Sequence, residues 1–204
     1  TGLLLKQDHK GAVKLAREIL TDDKGNADAA GTLIQALIED HTCNDPLNDI
    51  PEELKESEAV LVAHVHFLRC RGNPAWVDVA RVAVKKHSES HVLKQFAAEA
   101  VLDELARTDR DAIAGGILKN ITSQEVDDAV ATLYTEARQA IDKGYALLPS
   151  IAHNAAMALR FSDDLVNAKE ILDTSINQYP TDENLRLQRA LIAFSENDPA
   201  GALA

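Results

Sequence analysis

The sequence predicts an all-α protein built from antiparallel helix pairs, and three observations predict it. Apolar residues recur at helical spacing along almost the whole chain, while the strict alternation of a half-buried strand is nearly absent. Hydrophobic residues make up 46% of the 204 positions but aromatics only 4%. Alanine and leucine therefore carry the apolar mass, which suits closely packed helices better than a β-sandwich. Lastly, "AMALRFSDDLVNA", from Ala156 to Ala168, returns as "ALIAFSENDPAGA", from Ala190 to Ala202, 34 residues further on.

The elements follow in order. "GAVKLAREILTDD" places Ala12, Leu15, Ala16, Ile19 and Leu20 on one helical face, and Gly25 can stop that helix. "ADAAGTLIQALIED" puts Ala30, Leu33, Ile34 and Leu37 on the facing helix. Pro46 and Pro51 then exclude a continuous helix, amid Asp40, Asp45, Asp49, Glu52, Glu53, Glu56 and Glu58. This acidic stretch reads as a solvated loop entering a helix at Pro51, whose acidic first turn suits the helix dipole. "SEAVLVAHVHFLRC" is a long apolar helix ended by Gly72, and "NPAWVDVARVAVKKH" restarts with Asn73 as cap and Pro74 in the first turn. "SHVLKQFAAEAVLDELA", a short "DAIAGGILKNI" and "SQEVDDAVATLYTEARQAID" follow, the last starting near Ser123 and stopping at Gly144. "SIAHNAAMALRFS", "DLVNAKEILDTSINQYP" and "DENLRLQRALIAFS" complete the series.

One unit runs from Pro149 to Asp182. Its first helix carries Ala155, Ala156 and Leu159, its second carries Ala168, Leu172 and Ser175, and Pro180 closes it. This pattern resembles the tetratricopeptide repeat, with Ala156, Ala168 and Pro180 at the small, small and proline positions and Leu172 filling the groove beside the crossing. Ala190 and Ala202 take the two small positions of the following unit. Small side chains let two helices approach to about 8 Å at their crossing. A single pair cannot bury its whole apolar face, so neighbouring pairs must stack. The resemblance is clear over 149–204 and looser over 1–40, where Ala12 fits but Ile34 occupies a position the family keeps small. Between about 43 and 144 no 34-residue register holds, and irregular hairpins are expected. The fold expected is thus one α-solenoid domain over 1–204, read as a segment of a longer protein.

What the resemblance implies is a binding module with a concave wall lined by first helices. Over 149–204 that wall would expose His153, Asn154, Met157, Arg160, Asn184, Gln188 and Leu191. Asn154 falls where some members hold a terminal carboxylate, but Asn184 and Gln188 stand in place of the basic residues such a clamp needs. The expected partner is a protein or peptide, and the expected role that of a scaffold. The competing reading makes the segment a regulatory arm of a longer multidomain enzyme.

Charge narrows the choice. A formal net charge of −12 repels a phosphate backbone, so nucleic acid is not an expected partner. No apolar run approaches the roughly 20 residues needed to cross a bilayer, and no membrane partner is expected. Two cysteines, Cys43 and Cys70, are too few for a disulfide framework and suit a reducing, cytoplasmic setting.

No catalytic residue, cofactor or metal is expected. His41, Cys43, His66 and Cys70 compose the sharpest alternative, a two-His, two-Cys zinc set in which His66 and Cys70 share a helical face. His41 and Cys43 are spaced more tightly than ordinary ligands, however, and His64 and His66 point to separate sides, so single residues in ordinary packing are preferred. Gly115 and Gly116 lack the strand and spacing of a phosphate loop. The paired carboxylates Asp127, Asp128 and Asp163, Asp164 suit helix starts better than acid–base work. Trp76 is expected to anchor a helix interface.

Overall fold

The structure, a computed structural model, describes residues 8–39, 45–107 and 121–196. Among the described residues there are nine α-helices and no strand, and consecutive helices pack on one another within two compact units, Thr1–Ala100 and Val101–Ala204.

In the first unit, α1 (His9–Asp22) starts on Asp8, whose carboxylate accepts from the Gly11 amide at 2.9 Å. It buries Ala12, Ala16 and Leu20 against α2 (Ala27–Glu39). The expected five-residue face is narrower than predicted: Leu15 and Ile19 are 47% and 36% exposed. They lie on one flank of the alanine stripe, and the single helix α2 covers only the alanine side. The turn between the two helices rests on side chains rather than on the freedom of Gly25. Asp23 accepts from the Gly25 amide at 3.1 Å, and Asn26 caps α2 through the Ala29 amide at 2.9 Å. Ala30, Leu33, Ile34 and Leu37 are all buried, as their spacing predicts.

Beyond α2 the two prolines hold the chain to short 3-10 turns, Pro46–Asp49 and Glu52–Leu54. The helix expected at Pro51 starts later, because Pro51 caps only a single 3-10 turn. α3 (Glu58–Cys70) begins after it, packs directly on α2, and stops at Gly72, whose φ of +63° few other residues adopt. α4 (Trp76–Lys86) starts two residues after the expected Pro74. Asn73 caps the turn that precedes it, accepting from the Ala75 amide at 3.1 Å. α5 (His91–Arg107) follows, and the boundary between the units falls within it.

In the second unit, α6 (Ser123–Asp142) is opened by Thr122 rather than Ser123. The Thr122 hydroxyl accepts from the Glu125 amide at 3.2 Å, and the Glu125 carboxylate accepts from the Thr122 amide at 2.9 Å. This reciprocal box satisfies two amides that the first turn leaves without helical partners. α7 (Pro149–Phe161), α8 (Leu165–Gln178) and α9 (Glu183–Ser195) complete the unit. Asp163, at φ +62°, closes α7, and Asp164 opens α8 by accepting from the Asn167 amide at 3.2 Å. The pair thus divides its work between one helix end and the next start. Ala156, Ala168 and Leu172 are buried in the packing of α7 on α8, whereas Pro180 sits exposed in the turn that follows. Ala190 is half-buried on α9, and its expected counterpart Ala202 lies outside the described residues. α9 packs on α8 and also on α7, past the intervening helix.

Candidate functional site

Where α2 and α3 pack on each other, their neighbouring faces are left partly uncovered. The result is a groove of about 620 Å3 within the first unit. α2 contributes Asp28, Gly31, Thr32 and Gln35, α3 contributes Ala59, Val62, Ala63 and His66, and Phe96 of α5 forms a wall. Each set follows the i, i+3, i+4, i+7 spacing of one helical stripe. The two sets are also in register: 59 minus 28 and 66 minus 35 both give 31, as do the two pairs between.

The floor is made of small residues for a steric reason. A Cβ on Gly31 would stand 3.2 Å from the Ala59 carbonyl oxygen, so the backbones of α2 and α3 approach closely there. The far wall is stiffened by Arg69. Its guanidinium lies 5.0 Å from the Trp76 ring centroid and 5.5 Å from that of Phe96, and it pairs with Glu99. Trp76 is buried within the core of this unit, as expected of an interface anchor.

The polar groups sit along the rim. Asp28 is exposed in the first turn of α2, and Gln35 donates to Glu39 one turn further on at 3.2 Å. His66 faces Cys70 with 3.5 Å between Nε2 and Sγ, so these two do share a face. His64 is buried beside Asp45, at 3.9 Å. Burial lowers its pKa from the ordinary value, and the Asp45 charge offsets part of that effect. His41 and Cys43 lie outside the described residues, as do Gly115 and Gly116. Among the described residues no three His, Cys, Asp or Glu side chains converge as a metal site would require.

The residues expected to line a wall over 149–204 lie on α7 and α9, which pack together. Arg160 donates to Gln188 across that seam at 3.0 Å. His153, Asn154, Met157, Gln188 and Leu191 are half-buried, and Asn184 is exposed. His153 Nδ1 is buried without a hydrogen-bond partner among the described residues. Burial lowers the His153 pKa, Asp182 opposes that shift and Arg160 adds to it. Arg160 and Gln188 thus join the two helices, and Asn184 is the exposed member of the set.

Of the residues that line the groove in the first unit, only His66 was singled out from the sequence, and then as a candidate metal ligand. The chain matches no family model, no curated protein and no solved structure.

Proposed function

We propose that this chain is a helical-repeat module, of tetratricopeptide-like stacking, that docks a segment of another protein in the groove between α2, α3 and α5. The observation that carries the reading is the groove itself: an open recess with an apolar floor and a polar rim, built on rigid helices. Recesses of about 300–1,000 Å3 with this distribution are the usual form of a binding site. A further feature supports stacked repeats: α7 and α9, which begin at 149 and 183, pack on each other past α8. Such direct contact between alternate helices is what a stack of helix pairs requires.

A photo-crosslinking side chain at Thr32 tests the proposal in cell extract. A discrete adduct is expected there, weakened by Val62→Trp, which fills the groove, and missing when the same probe replaces the exposed Val166 on α8. Identical adducts at the two positions, or none from Thr32, would remove the groove as a docking site.

A further inference from the structure

Resting on the groove reading, the geometry points to one chemistry of occupant: a short segment that sets a bulky apolar side chain beside a lysine or arginine. The apolar half follows from the floor. Gly31, Ala59 and Ala63 leave space, and Val62 and Phe96 wall it with carbon. A leucine-sized side chain removed from water there gains affinity by burying its carbon, whereas a polar side chain gains nothing comparable.

The cationic half follows from charge. No lysine or arginine lines the groove, and its one formally charged lining residue is Asp28. Asp28 makes no ion pair among the described residues. Glu39, which holds the Gln35 amide, adds a second carboxylate beyond the other end of the same stripe. Arg69, the cation at the Phe96 wall, is already paired with Glu99 and stacked between two rings. The recess is therefore bordered by two carboxylates that have no ion-pair partner among the described residues. An acidic segment is repelled, and a cationic one is drawn to the Asp28 end.

Length follows from helix rise. Asp28 to Gln35 spans about 10 Å, which accommodates about three residues of extended chain or two helical turns.

The test uses the whole chain and three fluorescein-labelled heptapeptides: one alternating leucine and lysine, one leucine and glutamate, one serine and lysine. Fluorescence anisotropy reads binding at two salt concentrations. The leucine–lysine peptide is expected to bind at least about tenfold more tightly than either other peptide, and to weaken with salt. Asp28→Asn should weaken it about threefold to fivefold, the effect of one exposed ion pair. Asp127→Asn alters net charge equally but lies in the second unit, and should leave the affinity unchanged. Circular dichroism melting of both variants separates loss of binding from loss of fold.

Equal or tighter binding of the leucine–glutamate peptide, abolished by Val62→Trp, overturns the cationic occupant while leaving the groove as a docking site. Equal weakening by Asp28→Asn and Asp127→Asn reduces the effect to bulk charge and also overturns it. Failure of all three peptides to bind overturns it as well, and a persisting crosslink from Thr32 would then show that the docking reading survives alone.

Discussion

The linker before α7 is held by α8 through a single residue, and that arrangement makes a quantitative prediction. The Leu147 carbonyl accepts from the Ser175 hydroxyl at 2.9 Å, and the Leu147 amide donates to Gln178 Oε1 at 2.8 Å. Ser175 and Leu147 are both fully buried, whereas Gln178 is exposed. Ser175→Ala leaves the buried carbonyl without a partner among the described residues, a loss of about 2–3 kcal/mol. Gln178→Ala removes a bond that water can partly replace, a loss of about 0.5–1.5 kcal/mol. The two bonds hold the peptide groups on either side of the Leu147 Cα, so once one is gone the linker shifts and the other matters less. The double variant should therefore fall short of the sum by about 0.5 kcal/mol or more. Urea unfolding followed at 222 nm measures this. With a slope of about 1–2 kcal/mol per molar, Ser175→Ala moves the midpoint down by roughly 1–3 M. Ser195→Ala is the control, since among the described residues that exposed hydroxyl bonds only to the Leu191 carbonyl of its own helix, and it should stay within about 0.5 kcal/mol. Native-state hydrogen exchange should show the Leu147 amide losing protection in Ser175→Ala. A midpoint unchanged by that substitution, or strict additivity of the pair, would refute the clamp.

Other expected outcomes concern packing, capping and pH. Ala168→Leu adds volume to a position with no exposure and should destabilise the second unit by about 1–3 kcal/mol, read as a lower urea midpoint. Thr122→Ala breaks the reciprocal cap of α6 and should lose about 1 kcal/mol, with exchange at the Glu125 amide rising first. His64 and His153 both have pKa values lowered by burial, so the unfolded chain takes up protons near pH 6.5 more readily than the folded one. Their contribution to stability is complete above about pH 6.5 and is lost as the pH falls through the lower folded values. Melting temperature should accordingly drop between about pH 7 and 5.5, and drop less in a His64→Gln, His153→Gln double variant; an equal drop would assign the effect to other groups.

Much of the secondary structure can be read from local chemistry. Apolar spacing alone places Leu33, Ile34 and Leu37 inside, and Gly72 and Gly144 mark helix stops because both take a positive φ. Helix starts were less legible. Asn73 and Pro51 look like starting signals, yet α4 and α3 begin further on, and α6 does begin at Ser123 but is capped by Thr122. A cap signals only that an amide can be satisfied, and 3-10 turns compete for the same side chains.

The sequence by itself determined that this chain is helical, where most helices lie and that Ala155, Ala156 and Ala168 are buried, because spacing and small side chains act locally or between adjacent helices. Only the tertiary structure decided where an open surface remains. Pro46 and Pro51 hold their part of the chain to the short 3-10 turns Pro46–Asp49 and Glu52–Leu54, α3 packs directly on α2, and a groove is defined by the faces that neighbours fail to cover. Leu15 makes the same point: its spacing suits a core, and the reach of α2 leaves it at the surface.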